Sequence, residues 1–391
     1  MLRILKNAIG DRRVFIAMMA LLIFGTLMIA SAEMGNSAGD TSYLTGVLTR
    51  QIIYGIAGIL AYTFMANVRV QRIGIILVIL GYVVLLGALV ICRFFGQING
   101  AYAWIFIGAG ATIQPSEFAK VFMILFACYM LCHDRGEENT RYFWLYVTGV
   151  LLYTGIILVL QHDLGSAVVL FIMSYCMALI PRYKEVRKYQ NSMTVLVIIV
   201  IAVALIALSP PVTEFLKKHD GNYMVGRFLA AADPFLYQYD NGYHIIMSLV
   251  SFANGGWFGL GYGNSIHKYM NFPNPSNDFI LPVIVEELGI VGFMMILVMY
   301  GLLLYPIISG SIKTNSMMGK VTFLGVFMYF ITHFILNVGG VSGLIPLTGV
   351  PLLMISSGGS SLMASMASLG LAQNEFNRMR KENDENHRRE V

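Results

Sequence analysis

Apolar residues run through this chain in stretches of roughly membrane length, separated by short polar or basic segments. A helix needs about twenty such residues to cross a bilayer. Runs near that length fall at 14–34, 48–67, 73–92, 117–133, 143–161, 164–181, 193–209, 284–308, 320–338 and 346–370. They predict an all-α polytopic membrane protein with about ten transmembrane helices over residues 1–373 and a charged, helix-compatible, mobile cytoplasmic tail at 374–391. One long extracytoplasmic loop, 210–283, separates helices 7 and 8. It holds its own apolar, glycine-punctuated stretch, HIIMSLVSFANGGWFGLGYGNS. Long loops without structure of their own are uncommon and usually functional, so short re-entrant or interfacial helices are expected there. Residues 93–116 are aromatic and amphipathic and are expected to lie along the outer interface.

Ala30-Ser31-Ala32, after a basic start and an apolar run, has the A-x-A form of a signal-peptide cleavage site. The run is longer than a usual signal core, so a retained first span is expected.

Composition agrees with this plan. Of 391 residues, 57% are hydrophobic and only 12% charged, against about 25% charged in a soluble domain. The net charge of +5 could suggest nucleic acid, but the placement of the charges says otherwise. With the N-terminus in the cytoplasm, most of the 26 Lys and Arg fall on the cytoplasmic side, as the positive-inside rule requires. The exceptions are Arg50, Arg93, Lys120, Lys217, Lys218, Arg227 and Lys268. Both termini are therefore expected inside, and no nucleic-acid partner is implied. Cys92, Cys128, Cys132 and Cys176 sit in or beside apolar runs without metal-ligand spacing, and read as small core hydrophobes.

Ionisable groups at membrane depth are costly and mark function or pairing. Glu117 and Lys120, three apart in QPSEFAK, share a helix face. They suit either a local ion pair or a cationic contact for an anionic substrate, with Glu117 holding Lys120. Asp163, in QHDLGS between the fifth and sixth spans, could cap a helix, and the topology puts it level with the first pair. Asp278 immediately precedes a long apolar run. It could cap that helix too, or, in a desolvated site, serve as a general base. Glu286 and Glu287 follow inside the same run, one of them expected to face the interior. Arginine suits bidentate binding of phosphate, so Arg227 is either a phosphate contact or simply a solvated loop residue, while Asp233, before a proline, reads as a turn residue. The glycines at 255, 256, 259, 261 and 263 lack the following Lys-Ser/Thr and βαβ context of a nucleotide loop. Gly358-Gly359-Ser360-Ser361 suggests close helix packing. A transporter and a membrane-embedded transferase both fit these features.

Four segments together resemble the SEDS family (shape, elongation, division and sporulation). QPSEFAK matches the family's QPSE-x-x-K, and QHDLGS resembles its QPDLGT. NDFILPVIVEELG resembles TDFIF-x-x-x-x-EELG, and LIPLTGVPLLMISSGGSSL resembles the final-helix signature ending in SYGGSS. Order, spacing and span number agree over nearly the whole chain. The resemblance implies a peptidoglycan glycosyltransferase that polymerises lipid II beside a class B penicillin-binding protein and other divisome membrane proteins, in the bacterial cytoplasmic (inner) membrane. It implies Asp278 as the essential aspartate and Glu117, Lys120 and Asp163 as functional polar positions. Lys120 and Arg227 become candidates for the leaving pyrophosphate. A divalent cation, Mg or Mn, is compatible, and no organic cofactor is implied. The sequence departs from the family at His162 (proline in the motif), Ser166, Asn277 and Ser357 (usually tyrosine). The tail and NVGGVSGLIP look more like the FtsW branch than the elongation-type RodA branch. A lipid II flippase using the same cavity is the alternative function, and a bare scaffold for the transpeptidase a third.

Overall fold

The computed structural model describes residues 7–37, 39–70, 73–98, 100–108, 111–133, 135–207, 229–239, 241–270 and 275–390. Helices dominate: α1 (Arg12–Ser37), α2 (Thr41–Asn67), α3 (Ile75–Ile91), α4 (Pro115–Leu131), α5 (Asn139–Val159), α6 (Leu164–Ala178), α7 (Lys184–Ala207), α8 (Asn241–Gly255), α9 (Ile280–Lys313), α10 (Met317–Val341) and α11 (Gly359–Glu390). Among the described residues each predicted run is helical over all or part of its length, and α8 is a further helix inside the long loop. Six described helices, α1, α2, α3, α5, α9 and α10, are long and apolar enough to cross a membrane by length and composition. The fold is that of a polytopic all-α membrane protein.

Packing follows the logic of a lipid solvent. On α2, Ile52, Ile53, Ile56, Leu60 and Phe64 are exposed, while the small Gly55 and Gly58 face inward. α3 buries only Val78 and Leu89. Apolar surface turned outward meets hydrocarbon at no cost, so the interior can hold the polar side chains. Gly58 and Gly370 illustrate the close approach: a Cβ at Gly370 would stand 2.4 Å from the Tyr62 carbonyl, which lets α11 lie against α2.

Residues 93–116 contain a short antiparallel hairpin, Ile105–Gly108 with Ala111–Ile113. Two features differ from the expectations. The last apolar run is not one helix. Residues 346–358 are non-helical and α11 starts only at Gly359, then continues through the charged tail to Glu390. There Asn377 donates to the Asn7 carbonyl at 2.7 Å. Finally, α9 is broken at Gly289 (φ 68, ψ −165) into a short front half and a long span. The Ala30–Ala32 triplet lies inside α1, with Ser31 fully buried.

Candidate functional site

The front half of α9 is a free-ended piece of helix inside the protein, and the glycine-rich loop completes it. Leu260 and Gly261 donate their N–H groups to the carbonyls of Glu286 and Glu287, both at 2.9 Å, while Ile290 and Val291 donate to the carbonyls of Gly256 and Trp257 at 2.9 and 3.2 Å. Broken helices are tolerated at membrane depth only where such groups are re-satisfied. A Cβ at Gly255 would meet the Val285 carbonyl at 1.9 Å, and one at Gly259 the Glu287 carbonyl at 2.2 Å. The glycines therefore serve a backbone-to-backbone approach.

Both glutamates of the front half are fully buried, not one. His267 Nδ1 lies 2.6 Å from Glu286 Oε1, and the Ser265 hydroxyl donates to Glu286 Oε2. Lys268 Nζ donates to Glu287 Oε1 at 2.7 Å, and Ser31 of α1 donates to the same carboxylate at 2.6–2.7 Å. The donors that the sequence left unnamed thus include Ser31 of α1 and, just downstream of the glycine loop, Ser265, His267 and Lys268.

This bracing sets Asp278 two residues ahead of α9, on the wall of a cavity of about 400 Å³. Glu117, Asp163, His333 and the Gly358–Ser361 segment share that wall. Each is placed by local structure. Asp163 caps α6, its Oδ1 accepting from the Ser166 N–H at 2.9 Å and its Oδ2 from Gln114 Nε2 at 3.1 Å. Glu117 stands in the first turn of α4, after Pro115 at the helix start, a position proline favours. The Asp278 carbonyl accepts from Asn337 Nδ2 at 2.9 Å. Gly349, at φ 69, would bring a Cβ to 3.6 Å from Asp278 Oδ2, so the non-helical 346–358 segment runs beside that carboxylate. Thr348 also lines the cavity, and its buried hydroxyl has no hydrogen-bond partner among the described residues.

Lys120 is placed differently. Its ammonium donates to Glu117 Oε1 at 2.6 Å and lies 3.2 Å from His333 Nε2, with the side chain wholly buried. It sits behind Glu117, not on the cavity wall. Glu117 Oε2 accepts from the Tyr329 hydroxyl at 2.9 Å. An ammonium only donates, so His333 Nε2 accepts, and the tautomer with hydrogen on Nδ1 also satisfies the Pro351 carbonyl at 3.2 Å. Arg227 lies outside the described residues. Sequence reasoning missed Tyr329, His333 and Asn337, which stand four apart on α10. That polar stripe on an apolar helix was the available signal.

The described residues do not build a ligand set for a divalent cation. No three His, Cys, Asp or Glu side chains among them converge to hold a metal, Asp163 is engaged as a cap and Glu117 by Lys120 and Tyr329.

His162 has an unusual backbone geometry. Its φ is 57, and the Asp163 N–H donates to the Ile157 carbonyl at 3.2 Å, closing α5 with a left-handed residue. Proline, fixed near φ −65, cannot take that shape.

A family model described as "Cell cycle protein", covering FtsW, RodA and SpoVE, matches residues 12–380. The chain is 31% identical to a probable peptidoglycan glycosyltransferase FtsW of Bacillus subtilis, covering 93% of this chain and 90% of that one. It is 30% identical to the protein of the same name from Geobacter metallireducens, covering 95% of each. Among solved structures it resembles a chain of a peptidoglycan synthase complex (24% identity, 94% of this chain and 98% of that chain, TM-score 0.67). It also resembles Thermus thermophilus RodA (22% identity, 94% and 96%, TM-score 0.60). Together with the span pattern and the four motifs, these matches show that the chain belongs to the SEDS family of cell cycle proteins, and is FtsW-like within it.

Proposed function

We propose that this protein is a peptidoglycan glycosyltransferase of cell division, joining lipid-linked disaccharides into glycan strands at the outer face of the bacterial cytoplasmic membrane. The single observation that carries the reading is the grouping of Asp278, Asp163 and Glu117 around one cavity inside an apolar bundle. Carboxylates held inside an apolar bundle are costly unless they act or are paired, and the relatives' names supply the reaction class.

In this mechanism Asp278 takes the proton from an acceptor sugar hydroxyl. The freed oxygen attacks the anomeric carbon of a second unit, and the bond from that carbon to the lipid pyrophosphate breaks, with inversion. Gln114 holds Asp163 at the cap, and Asp163 and Thr348 offer polar contacts to the sugars. Lys120 acts through Glu117 and His333, fixing the wall without touching substrate. Departing pyrophosphate needs positive charge, and the described residues lining the cavity include no Lys or Arg. Arg227, from the loop, is assigned that role. No step is routed through a metal ion. The partner is a class B penicillin-binding protein, and both termini lie in the cytoplasm.

The test uses the full chain purified with its cognate penicillin-binding protein and fluorescent lipid II, read as glycan ladders on a gel. Asp278→Asn is expected to lower polymer formation by about 100- to 10,000-fold. Equal ladders from wild type and variant would remove Asp278 from the mechanism. No ladders from either, with lipid scrambling in vesicles, would replace the transferase by a flippase.

A further inference from the structure

A second cavity, of about 510 Å³, opens at the far end of the bundle from the carboxylates. α6 marks the separation: Asp163 caps its front end in the first cavity, while Leu179 and Ile180, just past its last turn, line the second. Leu324 of α10 adds to the apolar wall. Arg182, Lys320 and Ser311 supply the polar one.

The two cations are the informative part. Neither Arg182 nor Lys320 forms an ion pair among the described residues. Glu375, beside Gly319, is committed to Arg378 at 3.2 Å. The turn that presents Arg182 is pinned, because buried Gln190 donates through Nε2 to the carbonyls of Ala178 and Pro181 at 2.8 and 2.7 Å. Lys184, Arg187, Lys188 and Lys313 add charge of the same sign at this end of the bundle. Basic residues that only orient a membrane protein need no cavity. Here two of them flank a pre-shaped space with greasy walls, open between helices.

We propose that this cavity binds an anionic phospholipid of the adjacent leaflet. Its phosphate sits on Arg182 and Lys320, with the Ser311 hydroxyl beside them, and its acyl chains lie along Leu179, Ile180 and Leu324. Arginine meets phosphate with two parallel donors. Basic groups at a membrane surface each favour an anionic lipid by about fivefold in affinity.

The experiment takes the purified full chain in detergent and adds phosphatidylglycerol, phosphatidylcholine or inorganic phosphate, counting retained lipids by native mass spectrometry. Wild type is expected to retain phosphatidylglycerol at least fivefold better than phosphatidylcholine. Arg182→Ala with Lys320→Ala should erase that preference, and Arg182→Lys should keep part of it. A second measurement needs no variant: a photoactivatable phosphatidylglycerol should crosslink to wild-type peptides spanning 176–182 and 311–324, and free phosphate should not compete it away. Crosslinks elsewhere, equal retention of both lipids by wild type, or full competition by inorganic phosphate would overturn the proposal. Both readouts are independent of glycan synthesis.

Discussion

Ser276 donates a hydrogen bond to the carboxylate of Glu33, 243 residues earlier in the chain, and so ties the loop carrying Asp278 to the first helix. Glu33 is nearly buried and also accepts from Tyr43 at 2.8 Å and Asn36 at 3.0 Å. The Ser276 carbonyl in turn accepts from the Ser357 N–H at 2.8 Å. The position of the proposed base is thereby set from two other elements. Glu33→Ala is expected to lower turnover of lipid II by about 10- to 100-fold, with the apparent KM little changed, because small misplacements of a reacting group cost that much. Glu33→Gln keeps an acceptor oxygen and should recover most of the rate. Steady-state kinetics on all three proteins would check it, and a loss confined to KM would contradict a positioning role.

Lys120 and Glu117 neutralise each other without exposure to solvent. Removing one partner strands the other, at about 3–5 kcal/mol. Lys120→Met should therefore destabilise strongly, while Lys120→Met combined with Glu117→Gln should regain most of that loss. Thermal unfolding of the three proteins in one detergent measures it. A double variant no more stable than the single one would show that the pair is not the source of the effect.

Gly259 (φ 75) and Gly289 (φ 68) face each other's segments across the broken helix. A Cβ at Gly289 would stand 2.3 Å from the Trp257 carbonyl. Gly259→Ala and Gly289→Ala are each expected to cost more than about 2 kcal/mol and to open residues 255–263 to protease. Gly301→Ala, with open space around it on the same α9, should be neutral or stabilising by up to about 1 kcal/mol. Limited proteolysis with a melting curve distinguishes these outcomes.

At His162 the left-handed φ of 57 makes an opposite pair of predictions. His162→Gly relieves the backbone and should stabilise by about 1 kcal/mol. His162→Pro, although it restores the family's motif residue, should destabilise the α5–α6 turn and loosen Asp163. Chemical denaturation would show the order Gly, His, Pro; a proline variant as stable as the parent would rule out the left-handed cap.

Most of the span pattern was legible because a membrane forces its length onto sequence: α1, α3 and α10 fall within a few residues of the expected runs. Hydropathy cannot see what happens inside an apolar run. Gly289 breaks α9 and the 346–358 segment abandons helix because other parts of the chain satisfy the backbone there. The site was legible in part. Glu117, Asp163 and Asp278 do share a cavity, whereas Lys120 turns out to be a partner behind it. The roles of His267, Lys268 and Glu33 went unread because they lie in contacts with residues 19 to 243 positions away, which no local pattern encodes.

The break in α9 also bears on how the chain is inserted. Until the glycine loop docks, the carbonyls of Glu286 and Glu287 and the N–H groups of Ile290 and Val291 lack the partners that the loop supplies, and each such group left unsatisfied in hydrocarbon costs several kcal/mol. The loop precedes α9 in the chain, so during synthesis it is already made when the front half of α9 emerges. Vectorial translation therefore presents template before client, and a circularly permuted chain that delivers α9 first would have to cross the membrane with that break unpaired.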